Sequence, residues 1–130
     1  MTIQEHINYW LASAEYDLNA ADSLFQAGYN NWCLFLGHLV LEKTLKALFV
    51  QTSNNLVPPK IHNLLKLALL SNLELTEKQS KFFADVNRFN IEGRYAEFKQ
   101  ELFNISTKDF TYIYFEKIKE QFQWLKSQLK

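Results

Sequence analysis

Three groups of polar side chains have the types and spacing to bind a ligand. The first lies in an apolar stretch, where His38, Glu42 and Lys46 recur every four residues with Lys43 beside them. In a helix this spacing places them on one stripe. Because a buried charge is costly unless it is paired, two interpretations remain open. The cluster is either a Glu42–Lys46 ion pair that only stabilises the helix, or a site that holds an anion or orients a partner's arginine.

The second group is PKIHN (59–63), which precedes an expected helix. The start of a helix offers free amides and the positive end of a dipole, and both attract anions. His62 is therefore either an anion ligand or a structural histidine that bonds a carbonyl or a carboxylate.

The third group is NRFNIEGRY (87–95), which contains two arginines, two asparagines and a tyrosine. Planar guanidinium groups bind phosphate or carboxylate through two hydrogen bonds. The alternative is that Arg88 and Arg94 pair with Glu42, Glu92 or Glu97 and fix an irregular loop.

We predict that the three groups converge on one anion or nucleotide. The expected ligand-binding residues are Arg94, Arg88, Tyr95, Lys43, Lys46, His62 and Asn90, with Glu42 and His38 in support. In this site Glu42 would hold one arginine in place, and Tyr95 would stack on a base or close the pocket. The beginning of the third helix would donate amides.

Other kinds of site do not fit the sequence. The glycines stand at 28, 37 and 93, too far apart for a phosphate-binding loop. A single cysteine and three scattered histidines do not make a zinc site. We therefore expect no metal, no cofactor and no catalytic residue.

Composition limits the class of protein. The chain has 130 residues, a net charge of +0 and 48% hydrophobic residues. This balance excludes disorder and generic polyanion binding, although a local patch for nucleic acid stays open. The longest apolar run, 32–41, is too short to cross a membrane. We expect one soluble, cytoplasmic domain over residues 1–130.

Apolar residues recur every three or four positions along most of the chain, which predicts an all-α fold. The expected helices cover 3–27, 32–51, 61–70, 77–88 and 107–129, with Asn30-Asn31 capping the second. The second is apolar around its circumference and should be central. Residues 89–107 have weak periodicity, and 97–103 is expected to form a short helical turn. We predict an up-and-down bundle of four main helices plus short ones.

In this order, these segments resemble the HEPN domain family, named for higher eukaryotes and prokaryotes nucleotide-binding. The similar segments are WLASAEYDL (10–18), AGYNNW (27–32) leading into EKTLKAL (42–48), PPKIHNL (58–64) and FNIEGRY (89–95). The resemblance implies a helical bundle that commonly dimerises. It also implies nucleotide binding, partnership with a small nucleotidyltransferase in a toxin–antitoxin pair, or RNA cleavage.

The resemblance does not extend to the family's ribonuclease motif. RNA-cleaving members carry an arginine followed by a histidine after four to six residues, whereas here no histidine follows His62. The group that would transfer protons in catalysis is therefore missing. Our main hypothesis is a non-catalytic, dimeric binding module for a nucleotide, a phosphate-bearing ligand or a nucleotidyltransferase. The alternatives are a ribonuclease with an altered site (Arg88, Arg94, Glu42 or His62) and a purely structural interaction bundle.

Overall fold

A computed structural model describes the backbone of the chain and the side chains of residues 1–90, 95 and 97–130. Over this backbone the chain forms six helices and no strand, which confirms the all-α prediction. The helices are α1 (Ile3–Gln26), α2 (Asn30–Ser53), α3 (Leu64–Leu70), α4 (Glu77–Arg94), α5 (Ala96–Ile105) and α6 (Lys108–Ser127). Four of them are long, and α3 and α5 are short, as the sequence predicts. No helix among the described residues is long and apolar enough to cross a membrane.

Helix α2 is the central element. It packs against each of the other five helices, which confirms the prediction from its apolar circumference. Its own Leu34, Leu41 and Leu45 are among the largest fully buried side chains, together with Phe83 of α4 and Phe115 and Phe122 of α6. Polar side chains in the middle of α2 therefore lie inside protein and need partners there.

The helix starts follow capping signals in the sequence except at α2 and α5, whose N-cap residues, Tyr29 and Tyr95, make no side-chain bond. Thr2 and Glu5 form a reciprocal capping box at α1. Thr76 and Gln79 exchange the same two bonds, of 3.0 and 3.1 Å, at α4. The prediction that Asn30-Asn31 caps α2 is wrong: Tyr29 occupies the N-cap position without a side-chain bond, and α2 already includes Asn30.

Two predicted helix bounds are wrong. Helix α3 begins at Leu64 rather than near residue 61, because Asn63 is extended and serves as its N-cap. Helix α4 continues to Arg94 rather than ending near residue 88. The ring of Phe89 contacts Tyr114 of α6, with the ring centroids 5.4 Å apart. This packing holds the extra turns in place despite the low helix propensity of their asparagine and glycine.

Candidate functional site

The first predicted group forms a buried ion cluster centred on Glu42. The Glu42 side chain is only 5% exposed, and both of its carboxylate oxygens have a partner. Nδ1 of His62 donates to Oε1 at 2.8 Å, and Nζ of Lys46 donates to Oε2 at 3.1 Å. The predicted Glu42–Lys46 pair is therefore present. The pair is buried, and the bond between Glu42 and His62 joins α2 to the segment before α3.

His38 lies one turn before Glu42 and is fully buried. Its Nε2 is 2.9 Å from the main-chain oxygen of His62, which can only accept a hydrogen bond, so Nε2 carries the proton. Its Nδ1 is 3.8 Å from Oε1 of Glu42, beyond hydrogen-bond length. Burial lowers the pKa of His38 to about 4, although the Glu42 charge opposes this shift. His38 is therefore a neutral structural residue near pH 7.

The start of α3 is capped by two asparagines. Oδ1 of Asn63 accepts from the amides of Leu65 and Lys66, at 3.1 and 3.3 Å. Oδ1 of Asn87 accepts from the amide of Leu64 at 2.9 Å, and its Nδ2 donates to Asn63 at 3.1 Å. The prediction that this helix start offers free amides to an anion is therefore wrong, because these donors are already occupied.

The two lysines of the first group also have internal partners. Nζ of Lys43 lies 2.7 Å from Oδ2 of Asp17 and donates to Oγ of Ser13 at 2.8 Å, both on α1. Nζ of Lys46 lies 5.4 Å from the centroid of the Trp10 ring, besides its bond to Glu42. The structure thus brings Lys46, Glu42 and His62 together, whereas Lys43 is directed towards α1.

The third predicted group is spread over the end of α4 and the start of α5. Arg88 is exposed on α4, next in sequence to the capping residue Asn87. Asn90 is buried, and Tyr95 is 54% exposed at the N-cap of α5. Arg94 lies outside the described side chains. The described hydrogen bonds of Glu42 go to His62 and Lys46, and the prediction that Glu42 holds an arginine lies, for Arg94, outside the described side chains.

Asp17 is the polar site residue that sequence reasoning missed. It is buried on the same face of α1 as Ala14 and Ala21. An acidic residue within an apolar stripe is a signal that a cation lies opposite, and here that cation is Lys43, which is 23% exposed. Among the described side chains, no three histidines, cysteines or carboxylates lie close enough together to hold a metal ion.

Comparison with protein families gives one match. The model of the HEPN domain family matches residues 7–128, nearly the whole chain. Comparisons with curated proteins and with solved structures gave no match. The order of segments, the helical bundle and the family match agree. The chain belongs to the HEPN domain family.

Proposed function

We propose that this protein is a non-catalytic binding module that dimerises and takes up a phosphate-bearing ligand. The ligand would lie where the residues before α3 meet α4, a surface that we call the junction: His62, Arg88 and Tyr95. His62 and Arg88 would bond phosphate oxygens, and Tyr95 would stack on an attached base.

One observation carries this proposal. The charges of α2 are held by partners inside the bundle, whereas His62 connects them to the surface. The His62 side chain is 47% exposed, and Glu42 holds its Nδ1. In its imidazolium form the ring can therefore donate Nε2–H to a phosphate oxygen, and its orientation is already fixed, which lowers the cost of binding.

A melting experiment tests ligand binding at the junction. A ligand at about 100 times its dissociation constant stabilises a fold by about 2.7 kcal/mol, which is a shift of about 10 °C for a chain of this size. We expect a nucleotide or polyphosphate panel to contain a ligand that raises the melting temperature. Arg88→Ala should reduce this shift, measured against its own ligand-free melting temperature. Lys66→Ala, at an exposed position of α3, is the control and should respond like the wild type.

The dimer is supported by an aromatic surface that we call the α2–α5 patch. It consists of Tyr29, Trp32 and Phe103, which are 57%, 40% and 62% exposed. Lys99 lies 5.4 Å from the Trp32 ring centroid, one helical turn before Phe103 on the same face of α5. Exposed aromatic groups of this kind are typical of association surfaces.

Sedimentation tests the dimer. The wild type should have about twice the mass of the 15.4 kDa chain at micromolar concentration. Phe103→Asp should be monomeric. Tyr16→Asp, on α1 at a position 75% exposed, is the control and should stay dimeric. A monomeric wild type would refute the dimer, and equal behaviour of the two variants would remove the α2–α5 patch as its interface.

Partnership with a small nucleotidyltransferase, as in a toxin–antitoxin pair, is supported by the family resemblance. If such an enzyme is encoded next to this chain, the two proteins should co-purify when they are co-expressed and elute together by size exclusion. Separate elution at micromolar concentration would refute this part of the proposal.

RNA cleavage by an altered site is a second candidate, favoured by the pairing of Glu42 with His62. A carboxylate that fixes one nitrogen of a half-exposed imidazole leaves the other to act as a general base, for example on an RNA 2′-hydroxyl. Purified protein incubated with mixed RNA separates the two candidates. Cleavage that disappears in His62→Gln would support the ribonuclease. We expect none above a buffer control.

A further inference from the structure

A groove between α4 and α6 lies outside the junction and has not entered the argument so far. Its volume is about 490 Å³, within the range of small-molecule sites. The lining residues are Lys78, Gln79, Lys81, Phe82, Asp85, Tyr114, Lys117, Glu120 and Gln121. All of them belong to the part of the chain whose side chains the structure describes.

Two aromatic rings form the floor of this α4–α6 groove. Phe82 and Tyr114 are partly exposed, and their rings are nearly parallel, with centroids 5.9 Å apart and an interplanar angle of 19°. Phe110 packs on Tyr114 at 4.6 Å, and the Tyr114 hydroxyl donates to Asp85 at 3.4 Å. These contacts hold the floor rigid, so a flat ring can stack there without ordering it first.

Three lysines form the rim of the groove. Lys78 and Lys81 project from α4, and Lys117 projects from α6 with its Nζ 5.8 Å from the Tyr114 ring centroid. Neither Lys78 nor Lys81 forms an ion pair with another side chain that the structure describes. Among the described side chains, the two lysines of α4 therefore have no ion-pair partner, unlike Lys43 and Lys46.

We propose that the α4–α6 groove is a binding site for a nucleobase that carries a phosphate. The base stacks on Phe82 and Tyr114, and the phosphate lies against the rim lysines. The groove shares no residue with the junction, so this inference goes beyond the proposed function, and variants of the two sites distinguish them.

The polar residues of the groove favour a nucleobase over a plain phenyl ring. Nε2 of Gln79 donates to Oε1 of Gln121 across the groove at 3.1 Å, while Oε1 of Gln79 accepts from the amide of Thr76. These bonds fix both side chains and leave Nε2 of Gln121 as the donor beside the aromatic floor. Glu120 adds an acceptor. A base edge has donors and acceptors that can meet these groups, whereas the ring of a phosphotyrosine has none. The two carboxylates among the lining residues also limit the positive charge, which suits one phosphate better than a long polyanion.

The test measures binding of nucleoside monophosphates to the wild type and to three variants by titration calorimetry. Lys78→Gln/Lys81→Gln should weaken binding about tenfold, because it removes two of the three cations. Phe82→Leu should weaken it about tenfold as well, since base stacking is worth about 1–3 kcal/mol. Lys108→Gln/Lys130→Gln removes the same charge elsewhere and is the matched control, expected within about twofold of the wild type. Melting curves confirm that each variant is folded.

Titrations with further ligands distinguish a free nucleotide from RNA as the natural ligand, and some of their outcomes would overturn the proposal. A single-stranded oligonucleotide that binds more tightly than a monophosphate would identify RNA as the source, and the reverse would identify a free nucleotide. Equal affinity for inorganic phosphate, or higher affinity for phosphotyrosine, would overturn the proposal. Equal losses in the two lysine double variants, or no nucleotide binding at all, would do the same. Loss of binding in Arg88→Ala alone would place the ligand at the junction and not in this groove.

Discussion

The Nε2 atom of His38 lies 2.9 Å from the main-chain oxygen of His62, and this hydrogen bond ties the middle of α2 to the segment that enters α3. The side chain of His62 turns back to Glu42, one turn along α2 from His38. Two hydrogen bonds therefore connect His62 to α2: one between its main-chain oxygen and His38, and one between its side chain and Glu42. A second proton on His38 would sit on Nδ1 inside the bundle, where it is costly because a buried imidazolium has lost its water.

The first prediction is that stability falls as the pH drops below about 6.5. The pKa of His38 is lowered from 6.5 to about 4 in the folded chain. Between these values the unfolded chain binds a proton that the folded chain does not, so the free energy of unfolding rises with pH across this window. The change attributable to His38 is at most about 3 kcal/mol.

Urea unfolding between these pH values, compared among variants, checks this prediction. His38→Gln can keep a donor for the His62 carbonyl but cannot titrate, so its unfolding free energy should depend less on pH. His6→Gln is the control and should keep the dependence of the wild type. The carboxylates contribute equally to the pH dependence of all three proteins. Identical slopes of unfolding free energy against pH would therefore show that His38 is not the cause.

The second prediction concerns the Glu42–Lys46 pair. Glu42→Gln leaves the Lys46 ammonium buried without a negative partner and should destabilise the fold by about 3–5 kcal/mol. Adding Lys46→Met removes that charge and should restore part of the loss. Glu116→Gln breaks a pair of the same charge type at the surface, where Lys119 lies 2.7 Å away, and should cost less than about 1 kcal/mol. Chemical unfolding of the wild type and the three variants measures these values, and equal costs at Glu42 and Glu116 would contradict the prediction.

Local spacing explains what could be predicted from the sequence. The stripe of Glu42 and Lys46 follows from helix geometry alone, and the apolar circumference of α2 indicated that the pair is buried. The contact of Lys43 with Asp17 could not be found in this way, because it depends on how α1 is rotated against α2. Sequence periodicity shows which face of a helix is apolar but not which polar residues meet across the interface.

The end of α4 shows the same limit. Asn90 and Gly93 weaken the local helix signal, so the pattern alone favours an early end. The helix continues because Phe89 packs against Phe110 and Tyr114 of α6. Phe110 and Tyr114 lie beyond α5 in the chain, so local sequence does not reveal them as partners of Phe89. Their packing overrides the low helix propensity of this segment.

The third prediction tests the close approach of α2 and α6. A Cβ added at Gly37 would lie 2.7 Å from Cδ1 of Ile118, which is fully buried. Gly37→Ala should therefore destabilise by about 1–3 kcal/mol, although alanine favours a helix. Ile118→Val removes that methyl group and costs about 1 kcal/mol by itself. In a thermodynamic cycle, the double variant should lose less stability than the two single variants lose together. Additive losses would show that Ile118 does not limit how closely α6 approaches Gly37.

The fourth prediction concerns the reactivity of Cys33. The thiol is fully buried against α1 and α6, and burial raises its pKa to about 12. Because the thiolate is the reactive form, the native protein should react very slowly with an aromatic disulfide reagent at about pH 8. In guanidinium chloride the same thiol should react at once, since unfolding exposes it and returns its pKa to the ordinary range. Cys33→Ser is the control for reaction at other groups. Labelling of the native protein as fast as of the unfolded chain would mean that the bundle opens between α1, α2 and α6 on the time scale of the reaction.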